Sequence, residues 1–421
     1  MSAETRRWRA ALLAAFVLAL LLRLLAVGLL QGFGSPPDAH AQPDQLDYER
    51  TAWALASGEG YAVDGQPSSF RPPGTAFALA PVYLLAGRSW AAGRLWFCLL
   101  SAATCVALAL LARPLCGPTV ALGAAIALAL DPAHLYYSLH FLSEVPYGLL
   151  ITTATAFALA AARAEETRRG ALLGLAAGGV LGLAGLVRPQ ALLALPIAWL
   201  LWLVARGPTR RRVSAALLAA SLATAAVAGA WVARNALVFG EPRLATIAGV
   251  TFWGAHNERV LAEPGLCGLW VSTRPWIRDL SLPRDEALYN ARGWAQGAAF
   301  VRRHWRSLPR LELCKLERLI ALRLATPNRL ASSAFAIAWL LVGPLALVGF
   351  VGAWRRDRAS AMVAGLPLFA LVATALLFYG SIRFRHSTEP ILVLFAGAGA
   401  SMLAARLGSP RTRGGLMRRP G

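Results

Sequence analysis

The chain has 421 residues, 57% of them hydrophobic and only 15% charged, and its mean hydropathy is +0.53. A soluble chain of that length carries far more charge, so the composition excludes a water-soluble globular protein and implies an all-α polytopic membrane protein. The net charge of +21 would suit nucleic acid, but the arginines stand in short clusters between apolar runs and no aromatic-interleaved basic domain is present, so that partner is set aside.

The apolar runs, in chain order, lie near 10–31, 90–112, 117–131, 145–163, 171–187, 190–205, 214–236, 331–352, 360–379 and 389–406. They read as about ten spanning helices, each near the length that crosses about 30 Å of hydrocarbon. Residues 75–87 add a further short or re-entrant piece. The first run is too long for the core of a secretory signal and is followed by no A-x-A-like cleavage site before Gln31-Gly32-Phe33-Gly34, so it reads as a retained anchor.

Arginine clusters at Arg6–Arg9, Arg113, Arg163–Arg169, Arg206–Arg212, Arg355–Arg358 and Arg411–Arg419 all fall on one side if the ten spans alternate. The positive-inside rule then places both termini in the cytoplasm. The segments 32–74, 132–144, 237–330 and 380–388 face outward, as does the turn Val187-Arg188-Pro189. The organisation expected is a spanning module over 1–236 that includes the first external loop, 32–74. An external loop over 237–330 follows, then the last helices and a basic tail over 331–421. Late in the second loop, LYNARGWAQGAAFVRRHWRSLPRLELCKLERLIALRL has apolar spacing near 3.6 with basic residues between, the pattern of an interfacial helix rather than a spanning one. Of the five cysteines, Cys98 and Cys105 share one apolar helix and read as packing, whereas Cys267 and Cys314 both face outward and could pair.

Acids gather on the same outer side. Asp44 and Asp47 lie three apart, and Asp47–Leu55 reads as an amphipathic turn or short helix. Glu144 opens an apolar helix, where it complements the positive N-terminal end. Glu59, Asp64 and Asp131 complete the set, and the first two read as solvated loop acids.

The order Asp44-x-x-x-Tyr48, Gly58-x-Gly60-Tyr61, Phe70-Arg71-Pro72-Pro73-Gly74 resembles the first external loop of the GT-C glycosyltransferases. More narrowly, it resembles the bacterial family 39-like branch related to protein O-mannosyltransferases and the lipid A aminoarabinose transferase. The segments Pro132-x-x-x-Tyr136-Tyr137-Ser138 with Ser143-Glu144, Gly182-x-x-Gly185-Leu186-x-Arg188-Pro189, Arg234-Asn235-x-x-x-Phe239-Gly240, Gly254-x-His256-Asn257 and Arg383-Phe384-Arg385-His386-x-x-x-x-Pro390 resemble later family motifs in the same order. Together they cover residues 1 to about 405. The resemblance implies a GT-C bundle with short interfacial helices in two external loops. It also implies transfer of one sugar from a polyprenyl-phosphate carrier to a glycan, lipid or protein acceptor at the outer face.

By residue match Asp44 is the base, Asp47 the second choice, and Glu144 the second acidic motif. Tyr48, Arg71, Arg188, Arg383, Arg385, His256 and Asn257 are the expected contacts to substrate and lipid phosphate, since arginine forks suit phosphate geometry. Several relatives bind a divalent metal near this site. Here Glu144, Asp44 or His256 would supply ligands, and with no dense His/Asp cluster a metal stays open. Arg23 lies within the first helix, where it is costly unless it is paired with an acid or reaches the outer face, and it is not read as catalytic. The short external loop leans the acceptor towards glycan or lipid. Two other readings remain, a flippase of lipid-linked sugars and a surface-glycan ligase or polymerase. The first would show repeats and midplane polar sites. The second would not need the Asp44-x-x-x-Tyr48 loop.

Overall fold

The computed structural model describes residues 2–38, 42–204, 210–322 and 329–408. Helix dominates; a two-residue antiparallel hairpin, Ala62–Val63 against Gln66–Pro67, interrupts it in the first loop. The helices in chain order begin with α1 (Ala3–Ala26, continued by a wider turn to Gln31), α2 (Asp44–Ala56), α3 (Gly74–Ala86) and α4 (Trp90–Cys116). Next come α5 (Pro118–Leu130), α6 (Pro132–Ser138), α7 (Glu144–Ala162) and α8 (Thr167–Val187). A tight 3₁₀ turn, Pro189–Leu193, leads into α9 (Ala194–Val204), and α10 is Arg210–Phe239. The segment after α10 holds α11 (Ile247–Ala255), α12 (Glu258–Ala262), α13 (Glu286–Arg303) and α14 (Leu308–Ile320). The chain closes with α15 (Arg329–Arg356), α16 (Arg358–Leu377), α17 (Ile382–His386) and α18 (Glu389–Gly408).

The ten expected spans sort into three kinds. Among the described residues, eight helices are long and apolar enough to cross a membrane: α1 with its extension, α4, α7, α8, α10, α15, α16 and α18. The pair α5 and α6 is bent by 57° and makes a ninth if taken as one broken span. The break falls where Pro132 cannot continue the α5 hydrogen-bond ladder and Asp131, in extended backbone, caps α6 by accepting from the His134 amide at 2.7 Å. The tenth expected span is the shorter apolar segment Pro189–Val204. The extra piece expected over 75–87 is α3, of 13 residues.

Small residues set how closely these helices approach. A Cβ on Gly174 or Gly178 of α8 would overlap the carbonyl oxygens of Ala216 and Ala220 on α10, so the two helices meet backbone to backbone. Thr224 of α10 donates to the Gly178 carbonyl at 2.9 Å, adding a polar tie inside the contact. One buried cluster joins α1, α4, α5 and α18 through Ala19, Leu108, Leu111, Leu128 and Phe395. A second gathers Tyr61, Leu79, Phe97, Tyr137, Phe141, Leu186 and Trp231 beneath the segment that joins α2 to α3. At the far end of the bundle, Arg163 donates to the Pro114 carbonyl at 2.8 Å, Ser360 at 3.0 Å and Asp357 at 3.3 Å. The connections after α4, after α7 and before α16 therefore share one end, as alternation requires.

The basic amphipathic stretch becomes two helices, α13 and α14. On α14 the residues one turn apart, Leu311, Lys315 and Leu319, are buried, so its main stripe packs into the protein. Trp305, Leu313 and Ile320 remain exposed beside it. Cys267 and Cys314 form a disulfide, while Cys98 and Cys105 are buried packing residues of α4.

Candidate active site

Asp44 and Asp47 occupy the first turn of α2, where the helix dipole favours anions and a spacing of three puts both on one face. Arg71 comes from the loop entering α3. That loop is pressed onto the end of α8, since a Cβ at Gly74 would lie 2.6 Å from the Val187 amide nitrogen. Only glycine permits the approach, and it brings Arg71 into the neighbourhood of Arg188, which follows Val187. Glu144 begins α7. Arg383 sits on the single turn α17, whose start Ser381 caps by accepting from the Arg383 amide at 3.2 Å.

These residues, from five separate segments, form one chain of alternating charge. Arg71 Nε meets Asp47 at 3.0 Å and Arg71 Nη2 meets Asp44 at 2.7 Å. Arg383 Nη1 meets the other Asp44 oxygen at 2.7 Å, and Arg383 Nε donates to Glu144. Arg188 Nη2 meets Glu144 at 2.7 Å, and its Nε donates to Ser143 Oγ at 2.9 Å. Side-chain exposure falls from 41% at Asp47 to 23% at Asp44 and 2% at Glu144, so water reaches the chain from the Asp47 end. Aromatic rings border the cations. The Arg71 guanidinium lies 5.8 Å from the centroid of buried Tyr48, and Arg188 lies 5.9 Å from Tyr147 and 6.0 Å from Phe384.

Electrostatics follow from that alternation. Burial opposes ionisation of Asp44, but the guanidinium groups of Arg71 and Arg383 outweigh it and hold the carboxyl well below the usual range. Burial likewise works against charge on Arg71 and Arg383, and the facing carboxylates push both above the ordinary arginine value. Burial raises the Tyr48 phenol, keeping it neutral.

Three expected contact residues lie elsewhere. Arg385 is buried against Trp339, 4.0 Å from its ring centroid, and donates to the carbonyls of Leu319 at 3.2 Å and Ala321 at 3.0 Å, fastening the end of α14. His256 accepts at Nε2 from Lys315 Nζ at 3.0 Å, and burial with that ammonium pushes its imidazole down to about 4. Asn257 caps α12, accepting from the Arg259 amide at 3.1 Å. None of these contacts is a member of the charge chain. Reasoning from sequence also passed over the part played by Ser143 as a partner of Arg188, although Ser143-Glu144 stood among the quoted motifs.

Among the described residues, no group of three or more His, Cys, Asp or Glu side chains is arranged to hold a metal. Asp44 and Glu144 are each already engaged by two arginines, and His256 lies in the Lys315 contact. The ligand set considered for a divalent ion therefore does not converge on one point.

The family model described as dolichyl-phosphate-mannose-protein mannosyltransferase matches residues 70–235. The archaeal oligosaccharyltransferase AglB from Archaeoglobus fulgidus, in complex with an inhibitory peptide and a dolichol-phosphate, superposes with a TM-score of 0.59 at 13% identity, over 97% of this chain and 51% of that one. The Archaeoglobus fulgidus oligosaccharyltransferase complex with Zn and sulfate gives 0.57 at 14% identity, over 94% and 49%. The chain shares the fold of these oligosaccharyltransferases. ArnT from Cupriavidus metallidurans bound to undecaprenyl phosphate is a more distant likeness, with a TM-score of 0.45 at 15% identity over 96% and 79%. No curated protein sequence matches. The chain spans about half the length of the oligosaccharyltransferases it superposes on.

Proposed function

We propose that this protein is a GT-C inverting glycosyltransferase that moves one sugar, a hexose or pentose, from a polyprenyl-phosphate carrier to an acceptor at the outer face of the bacterial cytoplasmic membrane. The observation that carries the reading is the alternating chain Asp47–Arg71–Asp44–Arg383–Glu144–Arg188 at one end of a membrane bundle. It joins a solvent-reached carboxylate to fixed guanidinium groups, the pair of functions that the transfer needs. The superposed AglB complex with dolichol-phosphate supports a polyprenyl-phosphate ligand for this fold. The Arg163 cluster at the opposite end supports an outward-facing site, since basic connections favour the cytoplasm.

In the reaction, Asp44 takes the proton of the acceptor hydroxyl or amine as that atom forms its bond to the anomeric carbon. The bond from that carbon to the phosphate oxygen breaks, and its electron pair leaves on the polyprenyl phosphate. A single displacement from the far side inverts the anomeric centre. Arg383 and Arg188 meet the charge that develops on the phosphate, and such fixed donors are the larger contribution in a water-poor site.

An aspartate clamped by two arginines is a weak base, and the donor corrects this. Its phosphate competes for Arg383, loosening the grip on Asp44 as the substrate arrives, so basicity rises only in the loaded site. Glu144 keeps Arg383 and Arg188 in place between turnovers. Tyr48 supports Arg71. A glycan or lipid acceptor fits the short external segment.

The test is sugar release in proteoliposomes supplied with a panel of polyprenyl-phosphate sugars and cell-envelope acceptors. Consumption of one carrier by the wild type, and none by Asp44→Asn, supports the reading. If no carrier is consumed but labelled lipid crosses the bilayer, the protein is a transporter instead.

A further inference from the structure

Arg71 is held at the site by a segment whose own anchorage lies far away in sequence. Glu286, the first residue of α13, is buried at 2% exposure, 218 and 217 residues from its partners Ser68 and Ser69. Its Oε2 accepts from Ser68 Oγ at 2.8 Å, and its Oε1 accepts from the Ser69 amide at 2.5 Å and Ser69 Oγ at 2.8 Å. Ser68 Oγ in turn accepts from the Phe70 amide at 3.1 Å, which brings the chain of bonds to the residue before Arg71. The same stretch is held from its other side. The amides of Thr246 and Ile247, at the start of α11, donate to the Ser69 and Phe70 carbonyls at 2.8 and 3.2 Å. Arg234 donates to the carbonyls of Ser68 and Tyr61 at 3.0 and 3.2 Å, which gives the Arg234-Asn235 motif a place in the fold.

A buried carboxylate whose hydrogen-bond partners are neutral is costly, and an uncharged residue would fill the space more cheaply. What the charge contributes is stronger, shorter, more directional bonds to two consecutive residues. That is the property required of an anchor two residues from a guanidinium that stands 2.7 Å from Asp44.

We propose that Glu286 is a positioning residue that fixes Arg71, and through it Asp44, from the second external segment. The inference rests on Asp44 and Arg71 acting in sugar transfer as described above. It makes α13 part of the working site, although α13 contributes no side chain to the charge chain.

A double-mutant cycle on the full-length protein in proteoliposomes tests it. Glu286→Ala lowers kcat about tenfold or more with donor KM within about twofold, the scale on which small misplacements cost rate. In an Arg71→Ala background the same change lowers kcat by less than about threefold, because the group it positions is gone. An equal loss in both backgrounds makes Glu286 a general stability residue and overturns the proposal. Should Glu286→Ala fail to fold, Glu286→Gln, which keeps one acceptor for the Ser69 amide, is run through the same cycle. Deuterium exchange is measured alongside. The amides of Ser68, Ser69, Phe70 and Arg71 exchange faster in the Glu286 variant while α7 is unchanged, and unaltered exchange at these four also overturns the proposal. If the wild type consumes no carrier lipid, the transfer reading fails, and the exchange result still decides whether Glu286 holds the segment.

Discussion

Replacing Asp44 by asparagine tests the proposed base with little change of shape. The charge chain has three acids and three arginines, so the substitution leaves it at +1. The asparagine amide also turns a donor towards one of the two guanidinium groups now 2.7 Å from the carboxylate. Loss of a positioned base removes about 10²–10⁴ in rate, equivalent to about 2.7–5.4 kcal/mol on the barrier at roughly 1.36 kcal/mol per tenfold. The donor phosphate meets a more positive site, so kcat falls while donor KM holds or decreases, a pattern that marks an interaction made in the transition state. The assay is steady-state transfer in proteoliposomes between pH 5 and 8. Since Arg71 and Arg383 hold Asp44 below the usual carboxylate range, the free enzyme loses no activity across that range through its protonation. Ionised Asp44 also stabilises the fold above its unfolded pKa of about 3.9, a contribution lost as pH falls through the lower folded value. A variant kcat within about fivefold of wild type, or a raised donor KM with kcat intact, would refute the assignment and move attention to Asp47.

Arg383 touches both Asp44 and Glu144, so Arg383→Ala should lower kcat over donor KM by about 10²-fold or more; transfer kinetics that match wild type would leave it a structural tie. Arg385→Ala should instead lower thermal stability and leave kcat within about threefold, because its contacts are to Trp339 and two carbonyls. A large loss of kcat without loss of stability would contradict that placement. Reduction of the Cys267–Cys314 disulfide, which closes a separation of 47 residues, should cost about 4 kcal/mol by the chain-entropy estimate. Thermal melts with and without reductant read it, and identical melting would show that the bond adds nothing.

Much of this was legible in sequence because membrane burial leaves strong marks. Apolar runs gave the spans, and the motifs placed Asp44, Arg71, Glu144, Arg188 and Arg383 at the ends of spans that proved to meet. Arg385 stands apart from the charge chain for a geometric reason. On the single turn of α17, residues two apart point to nearly opposite sides, so Arg383 faces the acids while Arg385 faces Trp339. Asn257 carried a local signal that was passed over, an asparagine directly before a short helix, which is the mark of an N-cap. The broken span at Asp131-Pro132 was likewise readable from the proline. The tie of Glu286 to Ser68 and Ser69 was not, because nothing local in either segment points to a partner more than two hundred residues away. The division of the amphipathic stretch into α13 and α14, with the α14 stripe turned inward, depends on tertiary packing that periodicity alone does not supply.

The glycines of α8 extend the reach of the site into the middle of the bilayer. Gly178 lies ten residues before Arg188, about 15 Å along the helix axis, yet it sets how tightly α8 lies on α10. A side chain there would wedge the two helices apart and swing the tip that carries Arg188 away from Glu144. A survey of inactive variants of this protein would thus find a second group of positions, uncharged and deep in the membrane, whose loss imitates the loss of Arg188.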